Sequence, residues 1–312
     1  MLRLKESKRA LSLATDGNGR WGFLDPRLGA MHAVVEAARN VACSGALPIA
    51  ATNCLNFGNP EKPEVMWQFT EAIDGIAEAC RALGTPITGG NVSFYNETLG
   101  KPIYPTPILG VLGLLEDADC ALGSAFRAEG DAVLLLDAGN GGVANAAKAA
   151  REFDSSEYAQ TTQGIVAGAP PAIDLAAEKR LIDCLVKLAG ERVISSAHDV
   201  SDGGIAVTLA ECCFDTTGLG VRAMIPAATT DEPTEAALFG ERGARVVITR
   251  PGTSLARVNE IAAQYQVSIQ SIGTVARGEF RIQYNAAPVI QGSVESFQKP
   301  WSESLQNAIE IE

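Results

Sequence analysis

The sequence predicts a protein of two domains, each of mixed α and β structure. Its 312 residues correspond to about two domains of roughly 150 residues each. Hydrophobic residues make up 46% and charged residues 20% of the chain, a balance that is typical of folded domains with real hydrophobic cores. Strand-like and helix-like segments alternate in the first part of the chain, which is typical of an α/β or α+β fold.

The first predicted domain covers residues 1–118. Apolar residues alternate with polar ones near its start, as in a strand or hairpin, and small apolar residues then recur at helical spacing, with a glycine where each helix would end. Residues 53–63 are expected to form a polar loop, and Gly89 and Gly90 a turn. The predicted elements are strands at 2–4 and 11–13, a helix at 29–45, a strand at 48–52, a helix at 64–83, and strands at 86–88 and 108–115.

A linker is predicted at 119–130, a second domain at 131–285 and a polar tail at 286–312. The second domain contains an Asp- and Gly-rich turn between a strand and a helix, and the tail is expected to end in a short helix. The predicted elements are a strand at 132–136, helices at 143–152 and 173–189, a strand at 193–197, a helix at 205–213, and strands at 245–249 and 268–275.

The formal net charge of −12 bears on the partners of the chain. An acidic surface repels the phosphates of nucleic acids and of anionic membranes, and no cluster of Lys and Arg offsets it here. We therefore expect neither a nucleic acid nor a membrane as a partner. A phosphorylated small molecule is compatible with this charge, because a divalent metal and backbone amides neutralise phosphates locally.

The cysteines and the N-terminal segment both favour a cytoplasmic protein. The seven cysteines form no C-x-x-C pair, and only two histidines are present, so a zinc site has little support and reduced thiols are expected. Residues 1–20 contain no apolar core of signal-peptide length. The longest strongly apolar stretch, 108–115, is too short for a membrane span.

Four glycine-containing segments carry acidic or amide side chains directly after predicted strands, at 15–20, 53–61, 88–93 and 198–204. Glycine lets backbone N–H groups approach phosphate oxygens, and Asp and Asn oxygens suit Mg²⁺, which bridges substrate phosphates. Each segment alone is more often an ordinary turn. Four such segments together make phosphate and magnesium binding as good an interpretation as simple turns. No P-loop signature, G-x-x-x-x-G-K-[ST], is present.

Two further residues have alternative interpretations. His198, beside Asp199 at a strand end, is suited to acid–base chemistry or to orienting a ligand, but a packed, hydrogen-bonded histidine is the commoner arrangement. Cys43 carries a thiol, but no partner motif of a glutaminase-type site accompanies it, and we discount it as a nucleophile.

Several longer motifs extend over nearly the whole chain, to about residue 285. They are Asp16–Arg20, Asp25–Arg27, Ala37–Gly45, Cys54–Glu64, Ala82–Glu97, Ala197–Gly204 and Leu238–Arg242. In these motifs the chain resembles the second half of the phosphoribosylformylglycinamidine synthase (formylglycinamide ribonucleotide amidotransferase) family, synthetase subunit. The two longest runs are the most specific.

This resemblance implies a fold and a reaction. The fold is that of the aminoimidazole ribonucleotide synthetase superfamily, in which an N-terminal α/β domain pairs its sheet with a partner copy and an α+β domain packs behind it. Family members are ligases of de novo purine biosynthesis. They use ATP to phosphorylate the formamide oxygen of formylglycinamide ribonucleotide, and ammonia from a glutaminase then displaces phosphate to give the amidine. The implied cofactors are ATP and Mg²⁺.

The resemblance also assigns site residues. Its ATP contacts fall on Asn53 and Gly90, with Asp16 as a weaker candidate for the same nucleotide site and the two aspartates of the fourth segment weaker still. Its magnesium ligand falls on Asn91 and its substrate contact on Ser93. No catalytic residue is assigned, because in the family the N-terminal copy supplies the catalytic histidine.

The resemblance further implies that this chain corresponds to the carboxy-terminal half of the synthetase. The expected partners are the N-terminal half, in the same or a separate chain, a glutaminase subunit and a small accessory subunit. Two alternatives stay open. One is a structural, pseudo-symmetric half that holds an auxiliary nucleotide, and the other is a stand-alone ATP-dependent kinase or synthetase of the same superfamily.

Overall fold

A five-stranded sheet forms the centre of the N-terminal domain. The structure is a computed structural model that describes residues 1–139, 146–227 and 232–310. The strand order is β1-β2-β7-β3-β4; β3 and β4 run parallel, and the other pairs are antiparallel. The elements are β1 (Leu2–Arg3), β2 (Ala10–Asp16), α1 (Gly19–Leu24), α2 (Pro26–Cys43), β3 (Leu47–Asn56), α3 (Pro63–Leu83), β4 (Ile87–Ser93), β5 (Glu97–Thr98), β6 (Lys101–Pro102) and β7 (Thr106–Leu115).

Local sequence signals define the two long helices of this domain. The Asp25 side chain accepts a hydrogen bond from the backbone N–H of Leu28, and Pro26 occupies the first turn of α2, where a missing N–H is not needed. Helix α3 ends at Gly84, whose φ of 73° is left-handed, as helix C-termini commonly require. Both helices pack on the same side of the sheet.

The two faces of this sheet differ in what covers them. Ala51, Leu55, Leu109 and Val111 are buried beneath α2 and α3. The other side, here called the open face, carries a row of leucines and an isoleucine with no covering element in the described part of the chain. Its residues are Leu11, Leu13, Leu47, Ile108, Leu112 and Leu114. Leu13 is 61% exposed and Leu47 43% exposed.

The C-terminal domain has a seven-stranded sheet in the order β14-β13-β10-β12-β8-β11-β9. Helices α6 and α9 contribute to the core that also includes α2 and α3, and α7, α8 and α10 contribute to a second core. The elements are β8 (Ala132–Asp137), α4 (Ala146–Phe153), α5 (Glu157–Gln163), α6 (Leu175–Gly190), β9 (Ser196–Asp199), α7 (Gly204–Phe214), β10 (Leu219–Ile225), α8 (Thr234–Phe239), β11 (Arg245–Arg250), α9 (Leu255–Gln264), β12 (Ser268–Arg277), β13 (Phe280–Tyr284), β14 (Ala287–Gly292) and α10 (Val294–Glu310).

A buried ion network joins the two domains. Arg39 of α2 is 1% exposed, and its Nη1 donates to both carboxylate oxygens of Glu178 on α6 at 3.0 Å. Its Nη2 lies 3.5 Å from Oδ2 of Asp199 at the end of β9. Isolated buried charges are costly, so Arg39 must stay paired with both carboxylates. This pairing holds α2 against the second domain.

The structure differs from the sequence-based expectations in two regions of the N-terminal domain. Residues 53–56, expected in a loop, continue β3, and residues 89–93, expected to start as a turn, belong to β4. These polar residues are extended because β3 pairs with both β4 and β7 along this stretch, and such pairing overrides local propensity.

Further differences concern the second domain. Residues 287–292, expected in a tail, form β14 at the sheet edge, paired with β13, and α10 is longer than the short helix expected there. The predicted helix at 143–152 is observed as α4, and residues 143–145 lie outside the described residues. Within the described ranges, no helix is long and apolar enough to cross a membrane.

Candidate functional site

A cavity of about 600 Å³ lies where the two domains meet. The N-terminal domain contributes the turn Thr15–Arg20, Glu36 of α2, Tyr104 and Thr106, and the C-terminal domain contributes Asp202. Its lining thus combines three carboxyl side chains, one guanidinium, a glycine-containing turn and an aromatic ring. These groups come from segments far apart in the sequence.

The turn between β2 and α1 forms one wall of the cavity. Oδ1 of Asn18 accepts hydrogen bonds from the backbone N–H groups of Arg20 and Trp21, each at 3.1 Å, and so caps the N-terminus of α1. A Cβ atom at Gly17 would lie 2.8 Å from the carbonyl oxygen of Pro107, and one at Gly19 would lie 2.9 Å from a Thr106 side chain. Glycine is therefore needed at both positions for this close approach.

The floor of the cavity is acidic. Asp16 at the end of β2 is hydrogen bonded to Glu36, and burial raises the pKa of Asp16 to about 7. Burial and the neighbouring Asp16 raise the pKa of Glu36 well above its ordinary value. Burial likewise raises the pKa of Asp202. Buried, mutually repelling carboxylates are stabilised by a shared proton or by a cation.

Arg20, the last residue of the Thr15–Arg20 turn, is held by contacts with the second domain. Its Nη1 lies 2.6 Å from Oε2 of Glu157 on α5 and 3.3 Å from Oε1 of Gln160. Its Nε is buried without a hydrogen-bond partner among the described residues. The guanidinium is therefore fixed in position by the second domain while one donor is unsatisfied.

Glu241 fixes the segment that carries Asp202. Its Oε1 accepts hydrogen bonds from the backbone N–H of Gly203 at 2.9 Å and of Glu157 at 2.8 Å. Burial raises the pKa of Glu241 to about 7. One carboxyl group thus connects the N-termini of α5 and α7 behind the cavity.

His198 does not line this cavity and is ion paired. Its Nδ1 lies 2.9 Å from the carbonyl oxygen of Asp199, and its Nε2 lies 3.4 Å from Oε2 of Glu211. Burial alone would lower the pKa of His198, but hydrogen bonds to Asp199 and Glu211 outweigh it and raise the pKa to about 10. A permanently protonated imidazole is a poor general base, so the packed histidine is the better interpretation.

The cysteine expectation agrees with the structure. All seven thiols are free. Cys43 is buried, and burial raises its pKa well above the ordinary value, which disfavours the reactive thiolate.

The five predicted site residues lie on one sheet but not in one cavity. Asp16, Leu109, Asn53 and Gly90 are directly opposite one another on the neighbouring strands β2, β7, β3 and β4. The side chains of Asp16 and Asn53 lie on the face that α2 and α3 cover. A Cβ atom at Gly90 would lie 2.6 Å from the carbonyl oxygen of Asn53, so only glycine fits there. Adjacent strands are about 4.8 Å apart, which places Asn53 about 10 Å from Asp16, beyond the cavity wall.

Asn91 and Ser93 lie on the opposite side of β4. They pair with Cys54 and Asn56 of β3. Side chains alternate between the two faces of a strand, so Asn91 and Ser93 lie on the open face of the sheet. Nδ2 of Asn96 donates to Oγ of Ser93 at 3.1 Å and fixes that hydroxyl. Asn91 and Ser93 therefore lie on the open face, whereas Asp16 lines the cavity.

The sequence reasoning missed Glu36 and Arg20 as site residues. Glu36 lies within the otherwise apolar part of α2, where all residues from Ala30 to Val35 are buried. A carboxyl group inside such a helix is the signal that would have identified it, because buried carboxylates are rare without a partner or a ligand.

The residues around the cavity fit a hydrated divalent cation better than a fully protein-bound one. No group of three or more His, Cys, Asp or Glu side chains in the described ranges is arranged to hold a metal ion. Asp16, Glu36 and Asp202 nevertheless supply hard oxygen atoms to the cavity lining. Mg²⁺ keeps several waters and needs only one or two carboxylates, and its charge would stabilise the ionised form of these buried groups.

Sequence models of the AIR synthase related proteins match most of the chain. The N-terminal domain model matches residues 1–115 and the C-terminal domain model matches residues 128–285. These matches confirm the predicted two-domain fold class.

The chain is also similar to curated PurL subunits of phosphoribosylformylglycinamidine synthase. It is 43% identical over 290 residues to that of Anaeromyxobacter sp., covering 89% of this chain and 36% of the relative. It is 47% identical over 279 residues to that of Parafrankia sp., covering 89% and 34%. It is 42% identical over 319 residues to that of Chlorobaculum tepidum, covering 100% and 41%. The chain thus spans about two fifths or less of the length of these relatives.

Solved structures share the fold. Thermotoga maritima PurL complexed with FGAR superposes with a TM-score of 0.74 at 18% identity, covering 95% of this chain and 47% of that one. Thiamine-monophosphate kinase from Stenotrophomonas maltophilia gives a TM-score of 0.60 at 16% identity, covering 91% and 88%.

Proposed function

The chain belongs to the family of AIR synthase related proteins, and on that premise we propose that it forms one half of an ATP-dependent phosphoribosylformylglycinamidine synthase. In this reaction the γ-phosphoryl group of ATP moves to the formamide oxygen of formylglycinamide ribonucleotide, and ammonia displaces phosphate to give the amidine. The observation that carries the proposal is the acidic cavity between the domains, in a chain that is 40–47% identical to PurL subunits. T. maritima PurL has been solved with ATP and with FGAR.

The charge of the cavity supports a metal-bound nucleotide. Arg20 is the only cationic side chain among the lining residues, against the carboxyl groups of Asp16, Glu36 and Asp202, so a free triphosphate would find little positive charge. Mg²⁺ held by Asp16 and Glu36 would supply charge neutralisation for phosphates in this site. Arg20 and the backbone N–H groups of the Gly17–Gly19 turn would then contact phosphate oxygens.

The open face supports a partner half. Its exposed leucines form an unpartnered apolar surface on the same side of the sheet as Asn91 and Ser93. We place the N-terminal synthetase half against it, so that Asn91 would contribute a magnesium ligand and Ser93 a substrate contact in a site shared by both halves. Asn53 and Gly90 do not line the cavity, so their role as ATP contacts stays a prediction from the resemblance alone. A glutaminase subunit would supply the ammonia, and a small accessory subunit would be a further partner, in the cytoplasm.

Reconstitution tests this function. We expect amidine formation from formylglycinamide ribonucleotide, ATP and ammonia when this chain and an N-terminal PurL half are mixed, and none from either alone. A turnover of the N-terminal half that does not depend on this chain would refute the proposal.

A second candidate is a half that holds an auxiliary nucleotide. It is favoured by one observation, namely that the described side chains lining the cavity include no histidine, and His198 is ion paired elsewhere. In the reconstituted enzyme, Glu36→Gln would then reduce nucleotide retention and the melting temperature while kcat changes little. A large fall in kcat at unchanged melting temperature would favour a catalytic site.

A further inference from the structure

An exposed aromatic pair stands at the rim of the cavity and has no role in the charge chemistry described above. Phe23 of α1 and Tyr104, which precedes β7, have ring centroids 4.8 Å apart and an interplanar angle of 30°. Phe23 is 48% exposed and Tyr104 44% exposed. Leaving two large rings half in water forgoes hydrophobic stabilisation, so a ligand that covers them would gain it.

The backbone holds both rings in place. The helix α1 that carries Phe23 is capped by Asn18 and anchored by the buried Trp21, whose Nε1 donates to the carbonyl oxygen of Ser155 at 3.1 Å. Tyr104 precedes Pro105, which restricts residue 104 to extended conformations, and Oγ1 of Thr106 donates to the Tyr104 carbonyl oxygen at 2.7 Å. The backbone at both residues is therefore held in place, and the two rings contact each other.

Tyr104 connects this surface to the acidic cavity. It lines the cavity together with the Gly17–Gly19 turn and Asp16. A ligand that enters the cavity therefore meets carboxylates, the Arg20 guanidinium and the Tyr104 ring. The matching ligand has an anionic, metal-binding end and a flat ring, which is the chemistry of a nucleoside triphosphate.

We propose that Tyr104, backed by Phe23, is the stacking platform for the nucleobase of the nucleotide bound in this cavity. The inference rests on the proposed function and adds the determinant of base selectivity to it. Stacking on an aromatic ring needs no base-specific hydrogen bond, so the larger surface of a purine makes purine nucleotides the preferred class.

Calorimetric titration of the full chain tests the platform separately from the phosphate site. The ligands are Mg-ATP, Mg-CTP and Mg-tripolyphosphate, which carries the phosphates without a base. We expect Tyr104→Ala to weaken Mg-ATP binding on the order of tenfold and to reduce the preference for Mg-ATP over Mg-CTP. Mg-tripolyphosphate affinity should change less than about twofold, because the platform does not contact phosphates.

Two variants serve as controls. Tyr104→Phe keeps the ring and should bind Mg-ATP as the wild type does, whereas Tyr95→Ala removes an exposed tyrosine that does not line the cavity and should have no effect. If the wild type binds Mg-ATP and Tyr104→Ala binds it equally well, the platform is wrong while the nucleotide site stands. If the wild type binds neither Mg-ATP nor Mg-tripolyphosphate, the proposed function fails and the platform with it. Weaker association of Tyr104→Ala with the N-terminal half, at unchanged Mg-ATP affinity, would show that the rings contact a protein instead.

Discussion

Single carboxyl groups dominate the chemistry of the cavity at the residue scale. Asp16 closes β2 and Glu36 faces it from α2, so that the two share a hydrogen bond in a buried setting. The cost of this arrangement appears as raised pKa values for both groups. The same groups become an advantage when a cation binds between them, because the electrostatic repulsion is then replaced by coordination.

The raised pKa of Asp16 predicts a pH dependence of stability. Its folded-state pKa of about 7 lies above the ordinary value of 3.8, so the folded chain retains a proton that the unfolded chain releases between these values. The free energy of unfolding therefore falls as the pH rises through this window. Without metal, we expect Asp16 to contribute about 1 kcal/mol less stability at pH 8 than at pH 6.

Urea unfolding at the two pH values, with EDTA present, measures this effect. Asp16→Asn removes the titrating group, so its stability should depend less steeply on pH than that of the wild type. Equal slopes for the two proteins would contradict the assignment.

Gly90 illustrates a steric requirement that can be tested against its neighbour. A Cβ atom there would collide with the Asn53 side chain and its carbonyl oxygen, whereas a Cβ atom at Gly89 meets no atom within 4 Å. We expect Gly90→Ala to reduce the free energy of unfolding by about 1–3 kcal/mol and Gly89→Ala to change it little. Urea denaturation measures the free energy of unfolding of both variants. Similar losses of stability in the two would show that the contact with Asn53 is unimportant.

At the scale of elements, α2 organises the molecule. It packs against the first sheet, against α6 and against β9, and it carries Glu36 and Arg39 on one surface. The sequence predicted this helix from its small apolar residues at helical spacing, and the structure confirms it. What the pattern could not show is that two charged residues within the helix face the second domain.

The ion network of α2 gives an element-scale prediction. Replacing Arg39 with Leu leaves the buried carboxylates of Glu178 and Asp199 without their cation, and we expect a loss of about 3–5 kcal/mol in the free energy of unfolding. Arg27→Leu on the same helix breaks only surface pairs, with Glu71 and Glu78, and should matter little. Guanidinium denaturation of both variants measures the contrast, and an Arg39→Leu protein as stable as the wild type would disprove the role of the network.

Element by element, the sequence predicted strongly periodic segments and missed weakly patterned ones. Helices α2, α3 and α6 and strands β7, β8 and β12 were expected close to where they occur. Strand β10 was missed because Gly220 and Arg222 interrupt its apolar residues, and β3 was ended too early because its last residues are polar. In both strands the pairing with neighbours, which sequence pattern does not contain, decides the conformation.

The candidate site was only partly predictable for the same reason. The motif containing Asp16 indicated a phosphate-binding turn, and Asp16 does line the cavity. Arg20 ends the same motif, whereas Glu36, Tyr104 and Asp202 join it through packing between distant segments. Register also decides which face a strand residue occupies, and this separates Asn91 and Ser93 from Asp16.

At the scale of the whole molecule, the open face is the feature that bears on assembly. The chain covers 34–41% of the length of the PurL subunits compared here, and one sheet face is apolar without a cover in the described ranges. A face of this kind marks an interaction surface. The proposed function therefore depends on assembly as well as on the cavity.

Association with an N-terminal PurL half tests the open face. Because Leu13 is 61% exposed, Leu13→Glu should leave the fold of the isolated chain unchanged but weaken association at least tenfold, about 1.4 kcal/mol, by placing a charge in an apolar interface. Leu305→Glu changes a leucine of α10 that is 73% exposed and serves as the control. Sedimentation velocity of the mixtures measures the effect, and unaltered association of Leu13→Glu would exclude this face as the interface.

The central claim is that the cavity between the domains holds a metal-bound nucleotide, and calorimetric titration with ATP tests it most directly. We expect the wild-type chain to bind ATP in the presence of Mg²⁺ but not in EDTA, and Asp16→Asn to weaken binding at least tenfold, about 1.4 kcal/mol. ATP binding that is independent of Mg²⁺, or that Asp16→Asn leaves unchanged, would contradict it.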